Sequence, residues 1–258
     1  MSAFANRISA QLLQSHISLF ACTARMQAQT DTEALHDLRI NLRRMRSLLK
    51  PLRGLPACDQ LQAHAAQVGK LSGPVRDLEV LVLELEAKQQ PPEFRARRQQ
   101  AVQQGYQQIV HSDQLAALLQ VLDQWPEGWR AAQRDGSLRN AQRKLEPRLL
   151  KAQRKLVDAL ADPLHDWHDL RLLVKRVRYN AQAYPDVAVL NATTQKALKQ
   201  VQSALGNWHD LVQWLVLSET EADLTQCVTQ WQTELQRAEA KSAEALAGLR
   251  LKLINNPS

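Results

Sequence analysis

The stretch HDLRINLRRMR, residues 36–46, comes back at residues 168–178 as HDLRLLVKRVR. Wound on a helix at about 100° per residue with His36 at zero, Arg39, Arg43, Arg46 and Lys50 fall near 300°, 340°, 280° and 320°. They make one basic line beside the histidine. Leu35, Leu38, Leu42, Met45, Leu49 and Leu52 fall between about 160° and 260°, an adjoining apolar line that a core can hold. From His36 to Lys50 the rise is roughly 21 Å, a length that suits an extended chain of charges better than one phosphate ion. The second copy repeats the construction, with His168, Arg171, Lys175 and Arg178 on the basic line and Leu170, Val174, Val177 and Ala181 on the apolar one. Gln182 stands where Lys50 stands in the first copy, so the second line is weaker at its C-terminal end. Arg44 and Arg176 lie off the two lines.

The repeat reaches beyond these helices. His168 follows His36 by 132 positions, and GNWHDL at 206–211 follows GPVRDL at 73–78 by 133. Two dispersed matches at nearly one separation predict a duplicated helical unit, each copy carrying a basic helix, a second helix, a Gly turn and an Asp-Leu helix start. The expected fold is all-α: two helical bundles, 1–137 and 138–258, that bury their apolar faces and meet around a pseudo-two-fold axis.

Helical periodicity runs through most of the chain, with no sustained strand-type alternation. It predicts helices near 5–28, 32–52, 57–71, 74–89, 92–121, 138–160, 163–183, 191–205, 207–218 and 221–250. Breaks are expected at PLRGLP (51–56), SGP (72–74), QQPPE (89–93), WPEGW (125–129) and DGS (135–137). Asp31 and Thr32 are candidate caps for the first basic helix. Asp162 followed by Pro163 is expected to open the second.

Composition narrows the chemistry. The 258 residues carry 33 Lys and Arg against 26 Asp and Glu, a formal charge of +7, which points to an anionic partner if the excess is gathered on one surface. Apolar residues make up 45%, enough for real cores. Cys22, Cys58 and Cys227 are far apart and form no CxxC pair, which argues against a disulfide scaffold or a zinc finger and predicts a reducing cytoplasm. The amphipathic N-terminal stretch reads as a first structural helix rather than a signal peptide, and no polar-free run reaches membrane-spanning length.

Arginine presents a planar fork of donors matched to phosphate, and lysine a mobile point charge. His36 and His168, at the ends of the lines, can donate to a phosphate oxygen or pack as hydrogen-bonded bundle histidines. Arg148, Lys151 and Lys155 share a face and can extend the electropositive surface. His165 and His168 with interleaved aspartates lack the further converging donors a zinc site needs. Phosphate loops ending in Lys-Ser/Thr, nucleophile elbows and HExxH are absent from the sequence. Duplex nucleic acid is the strongest competing partner, but these helices carry long apolar sides, and the tryptophans do not form a base-stacking platform. A scaffold docking an acidic protein is the other alternative.

LHDLRINLRRMRSLLK at 35–50 and WHDLRLLVKRVRY at 167–179, with GPVRDL and LGNWHDL as companion motifs, resemble the CHAD family, the conserved histidine alpha-helical domain. The resemblance spans essentially the whole chain, 1–258, with the elements in the family's order. It implies two related bundles whose histidine-bearing helices face a shared basic cavity. It also implies binding of inorganic polyphosphate and, in some members, association with polyphosphate granules. With no catalytic or metal motif in the residues, the expected mechanism is binding without covalent chemistry, cofactor or resident metal. The binding set the resemblance implies is His36, Arg39, Arg43, Arg46, Lys50, His168, Arg171, Lys175 and Arg178, with Arg44 and Arg176 also at basic positions of the signature. SDQLAALL at 112–119 stands where the family often has an Arg-Tyr pair, and Gln182 where a Glu is common. ELEAK at 84–88 satisfies the ExExK pattern of the CYTH triphosphatase-like family. That pattern works on a strand, whereas here Glu84 and Lys88 are expected to be i,i+4 partners on a helix.

Overall fold

The computed structural model describes residues 3–188 and 190–254. Among them no strand occurs, and the chain is all-α. It divides into two units, the first ending at Leu145 and the second beginning at Glu146.

The first unit holds α1 (Ala3–Ala28), α2 (Ala34–Leu49), α3 (Pro56–Leu71), α4 (Gly73–Ala87), α5 (Pro92–Val110), α6 (Asp113–Arg134) and α7 (Ser137–Arg143). α1 packs on α2, α2 on α3, α3 on α6 and α4 on α5. The whole apolar line of α2 is buried: Leu35, Leu38, Met45, Leu49 and Leu52 are 0% exposed and Leu42 2%. Each such side chain contributes about 1.5–3 kcal/mol of burial, so this line holds the helix backbone in place. Asn41, also buried, donates from Nδ2 to the Ser15 carbonyl at 2.7 Å and fixes α2 against α1.

The second unit holds α8 (Leu145–Ala161), whose first residue closes the first unit, then α9 (Trp167–Ala183), α10 (Ala192–Ser218) and α11 (Val228–Ile254). α10 packs against both α9 and α11. Leu156 of α8, Leu170, Val174 and Val177 of α9, Leu198, Val201 and Leu205 of α10 and Leu249 of α11 share one core. α7, placed by the sequence in the second half, instead packs on α6 and on the turn after α2, with Leu138 and Ala141 buried.

Several boundaries differ from those the periodicity predicts. The expected helix 92–121 is cut at Ser112, whose hydroxyl caps α6 by accepting from the Leu115 N–H at 3.2 Å. The expected break at WPEGW does not occur: Pro126 lies inside α6, and Trp125 and Trp129 stack at 4.9 Å, both buried. Gly128 is small there because α3 passes close by; a Cβ would come within 2.9 Å of Ala57 Cβ. The helices expected at 191–205 and 207–218 are one, α10, running straight through Gly206. The expected helix 138–160 is interrupted at Lys144, and a short 3₁₀ segment, Ala222–Cys227, precedes α11. The Gly turns in PLRGLP and DGS do form, with φ of 97° at Gly54 and 81° at Gly136, backbone that side-chain-bearing residues seldom adopt.

The caps also move. Asp166, not Asp162, opens α9, its carboxylate accepting from the Asp169 N–H at 3.0 Å. Asp162 closes a turn by accepting from the Leu164 N–H, with Pro163 inside that turn. α2 begins after Glu33 with no side-chain cap, while Asp31 accepts from the Glu33 N–H and takes an ion pair from Arg25 at 2.7 Å.

Candidate functional site

In the first unit the basic line of α2 lies along the joint between α3 and α4. His36, Arg39 and Arg43 are half-buried; Arg46 and Lys50 are exposed. Arg39 Nη1 donates to the Gly69 carbonyl and to Ser72 Oγ, both at 2.9 Å. Ser72 is 0% exposed, so this guanidinium satisfies a hydroxyl that water does not reach. Burial lowers the Arg39 pKa, opposed by Asp77 and Glu79 and reinforced by Arg43 and Arg76. Arg76 in turn pairs with buried Glu79 at 2.8 Å, and Tyr106 of α5 donates its hydroxyl to the same carboxylate. The Arg46 guanidinium passes beside Gly69, 3.8 Å from where a Cβ would stand, and partial desolvation lowers its pKa although the residue is water-accessible. Lys50 opens the 3₁₀ turn Lys50–Leu52 that Pro51 introduces, yet its N–H still bonds the Arg46 carbonyl, so it continues the line by one turn. At the other end Asp37 accepts from Arg25 Nη1 at 2.7 Å; the same arginine's hydrogen bonds to Asp31 hold that carboxyl down at about 2.

In the second unit the line of α9 lies along α10. Leu170, Val174, Val177 and Ala181 are buried, as the helical angles predict. Arg171, Lys175 and Arg178 are half-buried, and His168 is exposed. Arg178 Nη1 donates to Gln202 Oε1 on α10 at 2.8 Å, and its guanidinium carbon lies 5.4 Å from the Tyr179 ring centroid. Trp167 meets Trp208 edge-on at 5.3 Å, and the His168 and His209 rings lie 5.4 Å apart. Burial, then Arg171, His168 and Lys175, push the His209 pKa down to about 4.

The auxiliary cations sort by exposure. Arg44 and Arg176 are exposed, Arg148 of α8 is half-buried, and Lys151 and Lys155 are exposed opposite the buried Leu149, Ala152 and Leu156. Sequence reasoning missed four participants: Ser72, Arg76, Gln202 and His209. Arg76 and His209 sit at matching places in GPVRDL and GNWHDL, and that correspondence was the available signal. Ser72 and Gln202 carry no such mark, because their roles depend on which turn of a second helix meets the arginine.

ELEAK lies on α4, where Lys88 Nζ pairs with Glu84 Oε1 at 3.0 Å across one turn. Among the described residues no group of three or more His, Cys, Asp or Glu could hold a metal ion, and no helix is long and apolar enough to cross a membrane.

No curated protein matches the chain. Among solved structures it is similar to the crystal structure of the CHAD domain from the plant Ricinus communis, at 24% identity and a TM-score of 0.70, covering 99% of this chain and 93% of that one. At that identity the likeness speaks for the fold. The CHAD domain family model matches residues 11–219, the greater part of the chain and both basic helices, and the chain therefore belongs to the CHAD family.

Proposed function

We propose that this protein binds inorganic polyphosphate, without covalent chemistry, through the basic lines of α2 and α9. The principal contacts are His36, Arg39, Arg43, Arg46 and Lys50 in one unit and His168, Arg171, Lys175 and Arg178 in the other, with Arg44, Arg176, Arg148, Lys151 and Lys155 as outlying cations. One long polyanion engaging both pseudo-symmetric lines in a common basic cavity, within a single domain spanning 1–258, completes the reading. Association with polyphosphate granules in the cytoplasm is its cellular extension.

One observation carries it. In each unit the cations share a helix with a fully buried apolar line, and a neighbouring helix holds one guanidinium in place: Arg39 on Gly69 and Ser72, Arg178 on Gln202. Donors held this way lose little freedom when a phosphate arrives, so ligand binding is not charged for ordering them. Repeating phosphates release counterions as they dock and receive charge-assisted hydrogen bonds from the forks.

The test is a competition titration among polyphosphate of defined length, duplex DNA, RNA and a nucleoside triphosphate at rising salt. The expected result is a preference for polyphosphate that grows with chain length, with no orthophosphate released. Removing a guanidinium that meets phosphate should weaken binding by about 10-fold or more, from the ~1.5–3 kcal/mol of a hydrogen bond to a charged group. Arg46→Ala and Arg178→Ala should each do so, and Arg44→Ala should cost much less. Equal losses from all three would mean diffuse attraction; tighter binding of duplex DNA would replace polyphosphate with nucleic acid, and steady orthophosphate release would restore an enzymatic reading.

A further inference from the structure

Position 209 invites a question the binding reading leaves open: why a histidine is set beside Arg171, Lys175 and a second histidine, His168. Its ring stands 5.4 Å from that of His168. The charged groups that act on it, Arg171, His168 and Lys175, all come from α9. On its own helix Asp210 is the neighbouring residue, and α11, packed on the same helix, supplies none of the groups acting on it. The corresponding place in the first unit is Arg76, since 76 + 133 = 209, and Arg76 is a permanent cation paired with buried Glu79. The counterpart of Glu79 is Val212, since 79 + 133 = 212, an aliphatic side chain that carries no charge. One unit thus has a fixed cation with a fixed anion, and the other a titratable ring with an aliphatic residue where that anion would stand.

Resting on the polyphosphate reading, we propose that His209 is a conditional cation of the second unit: a polyphosphate seated along α9 draws a proton onto the His209 imidazole, which then donates to a phosphate oxygen. Without ligand, partial burial and the neighbouring cations Arg171 and Lys175 keep the ring neutral at neutral pH. Phosphate oxygens placed against Arg171 and Lys175 reverse the local field. The proton comes from solvent, and no bond other than N–H is made. Linkage then requires binding to tighten as pH falls between the ring's bound and free pKa values, by at most about tenfold per pH unit for one proton.

The experiment is calorimetric titration of the full chain with medium-chain polyphosphate at pH 6.5, in two buffers of unequal ionisation heat, for wild type, His209→Gln and His209→Arg. Imidazole NMR follows the His209 ring in the wild-type protein with and without the ligand, a readout that needs no folded variant. Expected are net proton uptake by wild type, most of one proton less for both variants, and retention of wild-type affinity at pH 8 or better by His209→Arg. The ring should move from neutral to protonated when polyphosphate is added. If polyphosphate binds with identical uptake in all three proteins, or if the ring stays neutral in the complex, His209 has no such role while the binding reading stands. If polyphosphate does not bind wild type at all, the binding reading falls and this inference falls with it.

Discussion

The joint between α3 and α4 and the middle of α10 stand at matching places in the two copies of the motif, and they are built differently. In the first, Ser72-Gly73-Pro74 ends one helix and starts another. Pro74 has no N–H to carry the ladder onward, and carbonyls at the end of α3 need donors, one of which is Arg39. In the second, Leu205-Gly206-Asn207 contains no proline and the helix continues. A lone glycine costs a helix about 1 kcal/mol, which the buried Val201, Leu205 and Leu211 readily offset. The basic line therefore does two jobs. Arg39 closes a helix end as well as projecting charge, while Arg171 at the matching position lies beside an unbroken helix and acts on His209. Two positions along the line, Arg46 lies beside Gly69, and its counterpart Arg178 is held by Gln202, which stands 133 residues after Gly69.

This contrast is open to direct attack. The largest effect is expected from Arg39→Ala, which leaves the buried Ser72 hydroxyl and the Gly69 carbonyl without that donor. Urea unfolding should show a loss of about 1–3 kcal/mol. Adding Ser72→Ala in the same chain should recover part of it, because the buried oxygen that lost its donor is gone; no loss at all would mean that Arg39 does not close the joint. Next comes Gln202→Ala, which releases Arg178 and should lower stability by about 0.5–1.5 kcal/mol. Polyphosphate affinity should fall with it by less than Arg178→Ala produces.

Gly69→Gln imports the second unit's arrangement into the first. The Cβ finds ordinary contact at 3.8 Å from Arg46 Nη1, and replacing a helical glycine should raise stability by about 0.5–1 kcal/mol in thermal or urea unfolding. Tying Arg46 to the new amide should alter polyphosphate affinity in the same direction as restoring Gln202 does for Arg178, and opposite responses would end the analogy.

The smallest effect is on stability against pH. His209 is a base whose folded pKa, about 4, lies below its ordinary 6.5, so the unfolded chain binds the proton more readily in that window. Stability from this group is complete above pH 6.5 and is lost as pH falls toward 4. Because the ring is only half-buried, solvent screening keeps the change small. His209→Gln should flatten the unfolding free energy between pH 6.5 and 4 relative to wild type, and a curve identical to wild type would show that the ring is not held neutral.

How far the chain could be read in advance varies with the kind of feature. The apolar lines of α2 and α9 were fully legible, since all ten residues assigned to them are buried. Breaks were legible where the backbone demanded them, at Gly54 and Gly136, and misread where packing decided, at Pro126 and Gly206. The Ser112 cap was hidden by an apolar period that runs across it. Within the candidate site the cationic line of each helix could be written down from spacing, but the residues that hold or modulate those cations could not.

By itself the sequence determined which side chains share a helix face, because 3.6 residues per turn is a local property of any α-helix. It also determined that the pattern occurs twice. Only tertiary structure decided whether a glycine ends a helix, which arginine seals a buried joint, and that His209 is held neutral among cations. Those outcomes depend on atoms from another helix a few ångströms away, whose register no local pattern records.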